Sequence, residues 1–317
     1  MSEIGGHATR RAFLAALARS SAAVAGGATA LGAVLGAACA PSTPASGGGG
    51  TPGAGASAEP PPSPVPGARA VGLQLYTVRT LMQRDVPGTL RALADIGYTQ
   101  VEPHDYFGYT PERLRALLDE LRLTSPSGHR SWNDLKTDLD GVLDAARVLG
   151  QRYVVLPWIE ERDRTAAGYR ALAADLERFG RAARERGLRM AYHNHDFEFD
   201  ARVLPGTTPY DLLLAETDPS LVWFELDLFW ATKAGRDPVA LFERHPGRFP
   251  MVHVKDMRGV RGAQEMVEVG AGEIDFARIF AARARAGLEY QFVEHDNPAD
   301  PLASVRASFA TVQRLLA

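Results

Sequence analysis

The sequence predicts a closed (β/α)₈ barrel, the TIM barrel, preceded by a signal segment and a disordered linker. Two observations favour the barrel: from Ala70 onward, eight short β-rich runs alternate with eight stretches of helical periodicity, which is the pattern of parallel βα units. The 248 residues from position 70 to 317 also match the usual size of such a barrel. The first 69 residues have a different composition and are not part of the predicted barrel.

The barrel prediction depends on counting elements along the chain. The predicted strands are 71–77, 98–104, 123–128, 153–157, 188–195, 222–228, 250–255 and 290–294. The predicted helices are 87–95, 111–121, 134–149, 166–186, 208–216, 238–245, 274–286 and 302–316. Thr110-Pro111 and Asp237-Pro238 place a capping side chain before a proline, and Gly97, Gly187 and Gly287 follow predicted helices. No Gly-x-Gly-x-x-Gly follows the first strand, so the alternative of a doubly wound dinucleotide-binding sheet loses its main support.

The first 40 residues have the layout of an export signal. Arg10-Arg11 precedes Phe13-Leu14, and an uncharged run rich in alanine and glycine follows from position 20 to 39. The arginine pair resembles the twin-arginine export signal. Alanine and glycine contribute little transfer energy, so the run is a poor permanent membrane span. We therefore expect export to the periplasm or cell envelope.

The one cysteine of the chain, Cys39, closes the segment Gly36-Ala37-Ala38-Cys39, which resembles a lipobox. A single cysteine excludes a disulfide framework within the chain. We expect lipidation at Cys39 and attachment to a membrane, with a soluble exported protein and an uncleaved anchor as alternatives. Residues 41–69 carry 15 glycines or prolines among 29 residues and predict a flexible linker, which leaves 70–317 as the barrel domain.

The net charge of the barrel excludes a class of partners. Residues 70–317 hold 31 basic and 36 acidic side chains, a net charge of −5. Proteins that bind nucleic acid need a positive face for the phosphates, so we expect no nucleic-acid partner. An abasic-site endonuclease, which shares this barrel type, would need that basic groove and a larger set of metal ligands.

The carboxyl ends of the predicted strands carry an unusual number of polar side chains, and in a TIM barrel these ends face the active site. Three strands end on two polar residues that alternation places on one face: His193 and His195, Glu225 and Asp227, His253 and Lys255. Independent structural histidines have no reason to collect on one rim. We therefore predict that His193, Asp227, His253 and Glu294 bind a divalent ion, which we expect to be manganese, cobalt, magnesium, iron or zinc.

Five fragments together resemble the sugar phosphate isomerase/epimerase family of xylose isomerase-like barrels. They are residues 72–79, 192–199, 224–230, 252–256 and 269–276. The resemblance implies metal ligation by a glutamate on strand five, an aspartate on strand six, a histidine on strand seven and a glutamate on strand eight. The last three correspond to Asp227, His253 and Glu294, whereas His193 stands where the strand-five glutamate is expected. This exchange removes one negative charge and one candidate base.

The family chemistry implied by the resemblance is proton transfer next to a sugar carbonyl, which a bound metal ion promotes. Our candidates for catalysis are Glu294, Glu102, His129, Glu198 and Lys255, the lysine as a group that polarises the carbonyl. Our candidates for substrate binding are Gln74, Tyr76, His195, Glu225, Trp230, Trp132 and Arg258.

The predicted substrate is a non-phosphorylated sugar or keto-glycoside. Export takes the chain away from cytoplasmic phosphosugars, and the rim has no compact cluster of basic residues besides Arg79, Lys255 and Arg258. The predicted reaction is an isomerisation, an epimerisation or an elimination. The alternative is a non-catalytic sugar-binding lipoprotein built on the same barrel.

Overall fold

The structure is a computed structural model that describes residues 69–260 and 262–317. The predicted export signal, the lipidation site Cys39 and residues 41–68 of the predicted linker lie outside the described residues. In the ranges that are described, no helix combines the length and the apolar character that crossing a bilayer requires.

Eight parallel strands form the wall of a nearly closed barrel, which confirms the predicted fold. The strands of the described residues are β1 (Gly72–Gln74), β2 (Gln100–Glu102), β3 (Ser127–His129), β4 (Tyr153–Leu156), β5 (Arg189–His193), β6 (Val222–Asp227), β7 (Met251–Val254), β8 (Asp256–Arg258), β9 (Glu265–Val267) and β10 (Tyr290–Val293). The barrel strands lie in the order β2-β1-β10-β7-β6-β5-β4-β3, and all eight predicted strands correspond to one of them. Strands β8 and β9 form a separate antiparallel hairpin after β7.

The barrel closes between β2 and β3 through backbone hydrogen bonds outside the regular ladder. The Val101 amide donates to the Thr124 carbonyl at 2.9 Å, and the Thr124 amide donates to the Thr99 carbonyl at 3.0 Å. The His129 amide donates to the Pro103 carbonyl at 3.0 Å. We call this junction the β2–β3 seam.

Helices surround the barrel, and two of them start at the capping side chains that the sequence predicted, Thr110 and Asp237. The helices of the described residues are α1 (Arg79–Met82), α2 (Val86–Ile96), α3 (Pro111–Glu120), α4 (Trp132–Thr137), α5 (Leu139–Val148), α6 (Ala166–Glu185), α7 (Pro209–Glu216), α8 (Leu228–Lys233), α9 (Pro238–Arg244), α10 (Phe276–Ala281), α11 (Arg283–Ala286) and α12 (Pro301–Leu316). The Thr110 hydroxyl accepts from the Arg113 amide at the start of α3, and the Asp237 carboxylate accepts from the Val239 amide at the start of α9. Each cap satisfies an amide that has no partner within its own helix.

Two predicted helices are divided in the structure. The predicted helix 134–149 is split into α4 and α5 at Asp138, whose carboxylate accepts from the Gly141 amide at 3.1 Å. The side chain thereby starts a new helix, although the apolar spacing continues across the break. The predicted helix 274–286 is likewise divided into α10 and α11 at Ala282.

Large apolar side chains fill the barrel interior beneath the strand ends. This interior cluster consists of Tyr153, Val155, Ala191, Met251, Tyr290 and Phe292. A β-carbon added at Gly72 would lie 2.4 Å from Phe292 Cδ1, so the close packing requires a glycine there. Along β5, β7 and β10, the next inward-facing residue after this cluster is His193, His253 or Glu294. The interior is therefore a packed base with a polar layer above it.

Candidate functional site

Strand register brings the polar strand ends together. His193 on β5 is opposite Glu225 on β6, and Asp227 on β6 is opposite His253 on β7. Glu102 at the end of β2 and Glu294 just after β10 both contact His253. We call this group of polar side chains at the strand ends the cluster. We call Glu102 and Glu225 the inner carboxylates, and Asp227 and Glu294 the outer carboxylates, because Asp227 lies two residues closer to the strand end than Glu225.

The inner carboxylates are surrounded by imidazoles. Glu225 Oε2 lies 2.8 Å from His129 Nε2, 3.2 Å from His193 Nδ1 and 3.1 Å from His253 Nε2. Glu102 Oε2 lies 2.8 Å from His253 Nε2 and 3.3 Å from His129 Nε2. All five side chains are buried. This arrangement lets each carboxylate accept hydrogen bonds from more than one ring.

Burial and pairing act in opposite directions on the pKa values of the inner layer. Burial and the neighbouring Glu102 carboxylate raise the pKa of Glu225, but the imidazoles outweigh both and lower it to about 2. Burial lowers the pKa of His129, yet Glu102 and Glu225 raise it to about 9. For His193, burial and the nearby His253 dominate and hold the pKa well below its usual value. Burial lowers the pKa of His253 as well, but Glu225 and Glu294 outweigh it and raise the pKa well above its usual value. The inner layer thus combines ionised carboxylates with one neutral imidazole, His193, and two charged ones, His129 and His253.

A buried lysine lies among the outer carboxylates. Lys255 Nζ is 3.0 Å from Asp227 Oδ2, 2.9 Å from Glu294 Oε2 and 2.9 Å from Asp296 Oδ1. Burial lowers the pKa of Lys255, but these three carboxylates outweigh it and raise the pKa well above the usual value. Glu294 Oε2 also lies 2.5 Å from His253 Nδ1. The lysine therefore stays charged and fixes the outer carboxylates in place.

The donor atoms fit a divalent ion. Two groups have ligand atoms within 4.8 Å of one another: His129, His193, Glu225 and His253 form one, and Asp227, His253 and Glu294 form the other. Imidazole nitrogen and carboxylate oxygen without thiolate suit the ions predicted from the sequence. Two buried oxygens, Glu102 Oε1 and Glu225 Oε1, have no hydrogen-bond partner among the described residues. Of the four predicted ligands, three fall in the second group, and His193 Nε2 lies 3.9 Å from Asp227 Oδ2.

Several candidates for substrate binding line the mouth of the barrel. His195 lies 5.1 Å from His193 and 5.6 Å from Trp230, measured between ring centroids. The Trp230 ring centroid is 5.9 Å from Lys255 Nζ. Tyr76 is 38% exposed, and its ring centroid lies 5.1 Å from that of His104, which follows β2. These rings make an aromatic wall around the outer layer.

Other candidates are engaged elsewhere. Gln74 Nε2 donates to Glu102 Oε2 at 2.8 Å, so this side chain belongs to the inner layer. Trp132 Nε1 donates to Asp175 Oδ2 on α6. Arg258 pairs with Glu265 across the β8–β9 hairpin at 2.7 Å. The structure therefore does not bring Trp132 and Arg258 to the cluster.

Glu198, a candidate base, lies beside the cluster and supports the loop after β5. Its carboxylate accepts from the Tyr192 hydroxyl at 2.5 Å and from the His195 amide at 2.8 Å. Burial raises its pKa to about 7, although these hydrogen bonds oppose the shift. The contacts fix the position of the His195 backbone.

Sequence reasoning missed two residues at the mouth. Trp158 is 41% exposed and contacts His195 edge-on, with ring centroids 4.8 Å apart. It directly follows the predicted strand 153–157, so the strand-end rule could have found it. His104 contacts Tyr76 edge-on, and its buried Nδ1 has no hydrogen-bond partner among the described residues. Burial and His129 lower the pKa of His104 to about 4, so it is neutral near pH 7.

Comparisons with known proteins agree with this architecture. Residues 90–313 match the profile of the xylose isomerase-like TIM barrel. An inosose dehydratase from Lacticaseibacillus casei is 31% identical over 134 residues, which cover 37% of this chain and 43% of that enzyme. The chain thus matches less than half the length of the curated relatives that head the comparison.

Solved structures show the same fold over most of the described barrel. A sugar phosphate isomerase/epimerase from Parabacteroides distasonis has a TM-score of 0.66 at 26% identity, covering 77% of this chain and 93% of that one. The 3-keto-D-glucoside 4-epimerase from E. coli has a TM-score of 0.61 at 16% identity, covering 77% and 98%. These proteins are named as enzymes of the isomerase, epimerase and dehydratase types. The chain belongs to the xylose isomerase-like TIM barrel family.

Proposed function

We propose that the barrel is a divalent-metal-dependent enzyme that acts next to the carbonyl of a keto-sugar, and that its reaction is an elimination of water. The observation that carries the choice of elimination is the residue at the end of β5. His193 stands where a second carboxylate base would be needed, and its Nδ1 is already engaged by Glu225 at 3.2 Å. Glu294 is then the carboxylate of the outer layer that remains for proton transfer.

The ion would be held by His193, Asp227, His253 and Glu294. When bound, it supplies Lewis-acid polarisation of a ketone oxygen, which acidifies the neighbouring C–H bond. The lone pairs required for this role come from two imidazoles and two carboxylates. Lys255 adds a fixed positive charge beside the same oxygens, so charge that develops on the substrate is stabilised from a second direction.

Glu294 is suited to accept the proton. It is 6% exposed, whereas Asp227, Glu225 and Glu102 are each 0% exposed. Burial raises its pKa, but Lys255 and His253 outweigh burial and hold the pKa well below its usual value, so Glu294 is ionised near pH 7 and can take up a proton.

The elimination needs only this one carboxyl group. Glu294 takes the proton from the carbon next to the carbonyl, a carbon–carbon double bond forms, and the β-hydroxyl breaks away. The departing hydroxyl receives the proton from Glu294 and leaves as water, so the reaction needs no oxidant or reductant. An epimerisation would need a second group on the opposite face of the substrate to return the proton.

The mouth of the site supports a neutral sugar. Lys255 is paired with three carboxylates, and Arg79 donates to Asn297 Oδ1 and to the Asp296 carbonyl, so neither cation is left to bind a phosphate. Aromatic rings and hydroxyl-binding groups are the usual lining of a sugar site. One relative is named a dehydratase, and one structural neighbour is named for a 3-keto-glucoside. We therefore propose a non-phosphorylated keto-sugar or keto-glycoside.

The test is a screen of free sugars and 3-keto-glucosides with added manganese or cobalt in deuterated water. We expect loss of one water by mass spectrometry, together with the ultraviolet absorption of a conjugated ketone. Glu294→Gln removes the base and should be inactive, whereas Arg258→Ala, far from the cluster, should retain the rate. Formation of an epimer without water loss would replace elimination by epimerisation. Sugar binding without exchange or product would support the alternative of a non-catalytic sugar-binding lipoprotein.

We further propose that the chain is exported through its Arg10-Arg11 signal and attached to the membrane at Cys39. The spacing of these residues in the sequence supports this location. Cys39→Ser should release the protein from the membrane fraction and abolish labelling by a radioactive fatty acid. Arg10→Lys combined with Arg11→Lys should leave the protein inside the cell. Unchanged fractionation of both variants would contradict the proposal.

A further inference from the structure

Two imidazoles lie between the inner and outer carboxylates, each with one ring nitrogen toward either side. His193 Nδ1 lies 3.2 Å from Glu225 Oε2, and its Nε2 lies 3.9 Å from Asp227 Oδ2. His253 Nε2 lies 2.8 Å from Glu102 Oε2, and its Nδ1 lies 2.5 Å from Glu294 Oε2. Each ring thus has one nitrogen on the inner side and one on the outer side.

Hydrogen-bonding capacity assigns the protons of these rings once an ion is present. A neutral imidazole has one N–H donor and one lone pair, and an ionised carboxylate can only accept. An inner carboxylate therefore fixes the N–H on the inner nitrogen, which is Nδ1 in His193 and Nε2 in His253. The remaining lone pairs, on His193 Nε2 and His253 Nδ1, then face the outer carboxylates.

We propose that Glu225 is a positioning residue that supplies, through His193, negative charge to the end of β5. Its carboxylate holds His193 in the tautomer that presents Nε2 to the ion, and it makes that nitrogen a stronger donor. Glu102 does the same for His253. The inference rests on the proposed function only in taking His193, Asp227, His253 and Glu294 as the metal ligands.

Further contacts show that the inner carboxylates are themselves held in place. Gln74 Nε2 donates to Glu102 Oε2 at 2.8 Å. His129 Nε2 lies between the two inner carboxylates, 2.8 Å from Glu225 Oε2 and 3.3 Å from Glu102 Oε2. A carboxylate with such contacts cannot rotate freely, so it fixes the direction of the histidine ring that it binds. Removing a carboxylate that holds a metal-binding histidine in this way changes metal affinity by roughly 10- to 100-fold.

The test measures metal affinity rather than turnover. The full chain is stripped with a chelator, and Zn²⁺ is titrated in competition with a chromophoric chelator. We expect Glu225→Gln to weaken Zn²⁺ binding by about 10- to 100-fold. The double variant His193→Glu with Glu225→Gln returns a carboxylate to β5 directly, so its affinity should recover to within about threefold of the original protein. A double variant that binds no better than Glu225→Gln would overturn the proposal.

A second readout follows the ring protons themselves. In the Co²⁺-loaded protein, the exchangeable N–H protons of His193 and His253 should give two paramagnetically shifted proton resonances. Glu225 Oε2 lies 3.2 Å from His193 Nδ1 and 3.1 Å from His253 Nε2, but His253 Nε2 also has Glu102 Oε2 at 2.8 Å. Glu225→Gln should therefore shift the His193 resonance by more than the His253 resonance. Equal shifts of both resonances, or a shift of neither, would contradict the assigned tautomers. Melting curves of each apo variant identify any variant that fails to fold, and Glu225→Asp then replaces it as the test of the same contact.

His129 distinguishes our assignment from binding of the ion among the inner donors. If His129, His193, Glu225 and His253 were the ligands, His129→Asn would remove a ligand and abolish binding, while Asp227→Asn would have little effect. Our assignment expects the reverse order of loss. Because affinity is measured without sugar, failure to turn over any sugar would refute the proposed function alone. A chain that binds no ion would refute both.

Discussion

Glu198 allows the contribution of one buried carboxyl group to be measured against pH. The side chain has no solvent exposure and accepts from the Tyr192 hydroxyl and from the His195 amide. Glu198→Gln keeps the shape of the group. The amide oxygen can accept from the His195 amide, and the Tyr192 hydroxyl can turn to accept from the new NH₂ group.

The magnitude follows from the pKa. Burial raises the pKa of Glu198 from 4.5 to about 7. The native state therefore holds the proton more tightly than the unfolded chain, and the stability that this provides is complete below about pH 4.5 and is lost as the pH rises through about 7. At about 1.4 kcal/mol per pKa unit, the full effect is on the order of 3 kcal/mol. Glutamine does not titrate. The free energy of unfolding of Glu198→Gln minus that of the original protein should therefore rise by that amount between about pH 4.5 and 8.

Urea unfolding followed by tryptophan fluorescence at a series of pH values measures this difference. Glu185→Gln, on the exposed face of α6, is the matched control and should give curves parallel to those of the original protein. If the Glu198→Gln curves also run parallel at every pH, the raised pKa is wrong. The turnover rate of Glu198→Gln is a second check, because loss of a catalytic base lowers that rate by about 100-fold or more. The contacts of Glu198 instead predict a turnover rate that is nearly unchanged.

Three further substitutions test separate parts of the structure. Trp158→Ala should raise KM about tenfold and leave kcat unchanged in steady-state kinetics, because we expect an exposed ring at the mouth to bind substrate without reaching the reacting atoms. A fall in kcat as large as the fall in kcat/KM would contradict this. Gly72→Ala should destabilise the barrel by about 1–3 kcal/mol through the clash with Phe292, and an unchanged melting curve would contradict the packing. Asp256→Ala leaves the amides of Met257, Gly270, Gly272 and Ile274 without their acceptor. It should cost about 3 kcal/mol in denaturant unfolding, and Asp256→Asn should cost less.

The fold could be predicted because each βα unit carries its own local signals. Each βα unit contains its strand run, its capping residue and its apolar spacing within about 30 residues, so these signals can be found without knowledge of the tertiary structure. The break at Asp138 was missed because the apolar spacing is the same on both sides of it. Only the carboxylate bond to the Gly141 amide shows that one helix ends and another begins. The β8–β9 hairpin was missed because β8 directly follows the predicted strand 250–255, so the sequence shows no separate start for it.

The site was only partly predictable, because the strand-end rule identifies polar residues but not their contacts. Glu225 was expected to bind substrate, yet its register opposite His193 places its carboxylate among three imidazoles. Trp132 and Arg258 follow strand ends just as Trp230 does. Their side chains turn to partners on a helix and a hairpin, which depend on the tertiary arrangement. Register and side-chain direction are the information that the sequence pattern lacked.

The β2–β3 seam links occupancy of the site to opening of the barrel wall. Three backbone hydrogen bonds close the seam, fewer than a long ladder would supply, so local opening should start there. Glu102 belongs to one side of the seam and His129 to the other, and their side chains meet at 3.3 Å. A ligand that binds the site only while the seam is closed therefore favours the closed state of the barrel wall. Hydrogen exchange at the amides of Val101 and Thr124 should therefore slow as the site becomes occupied.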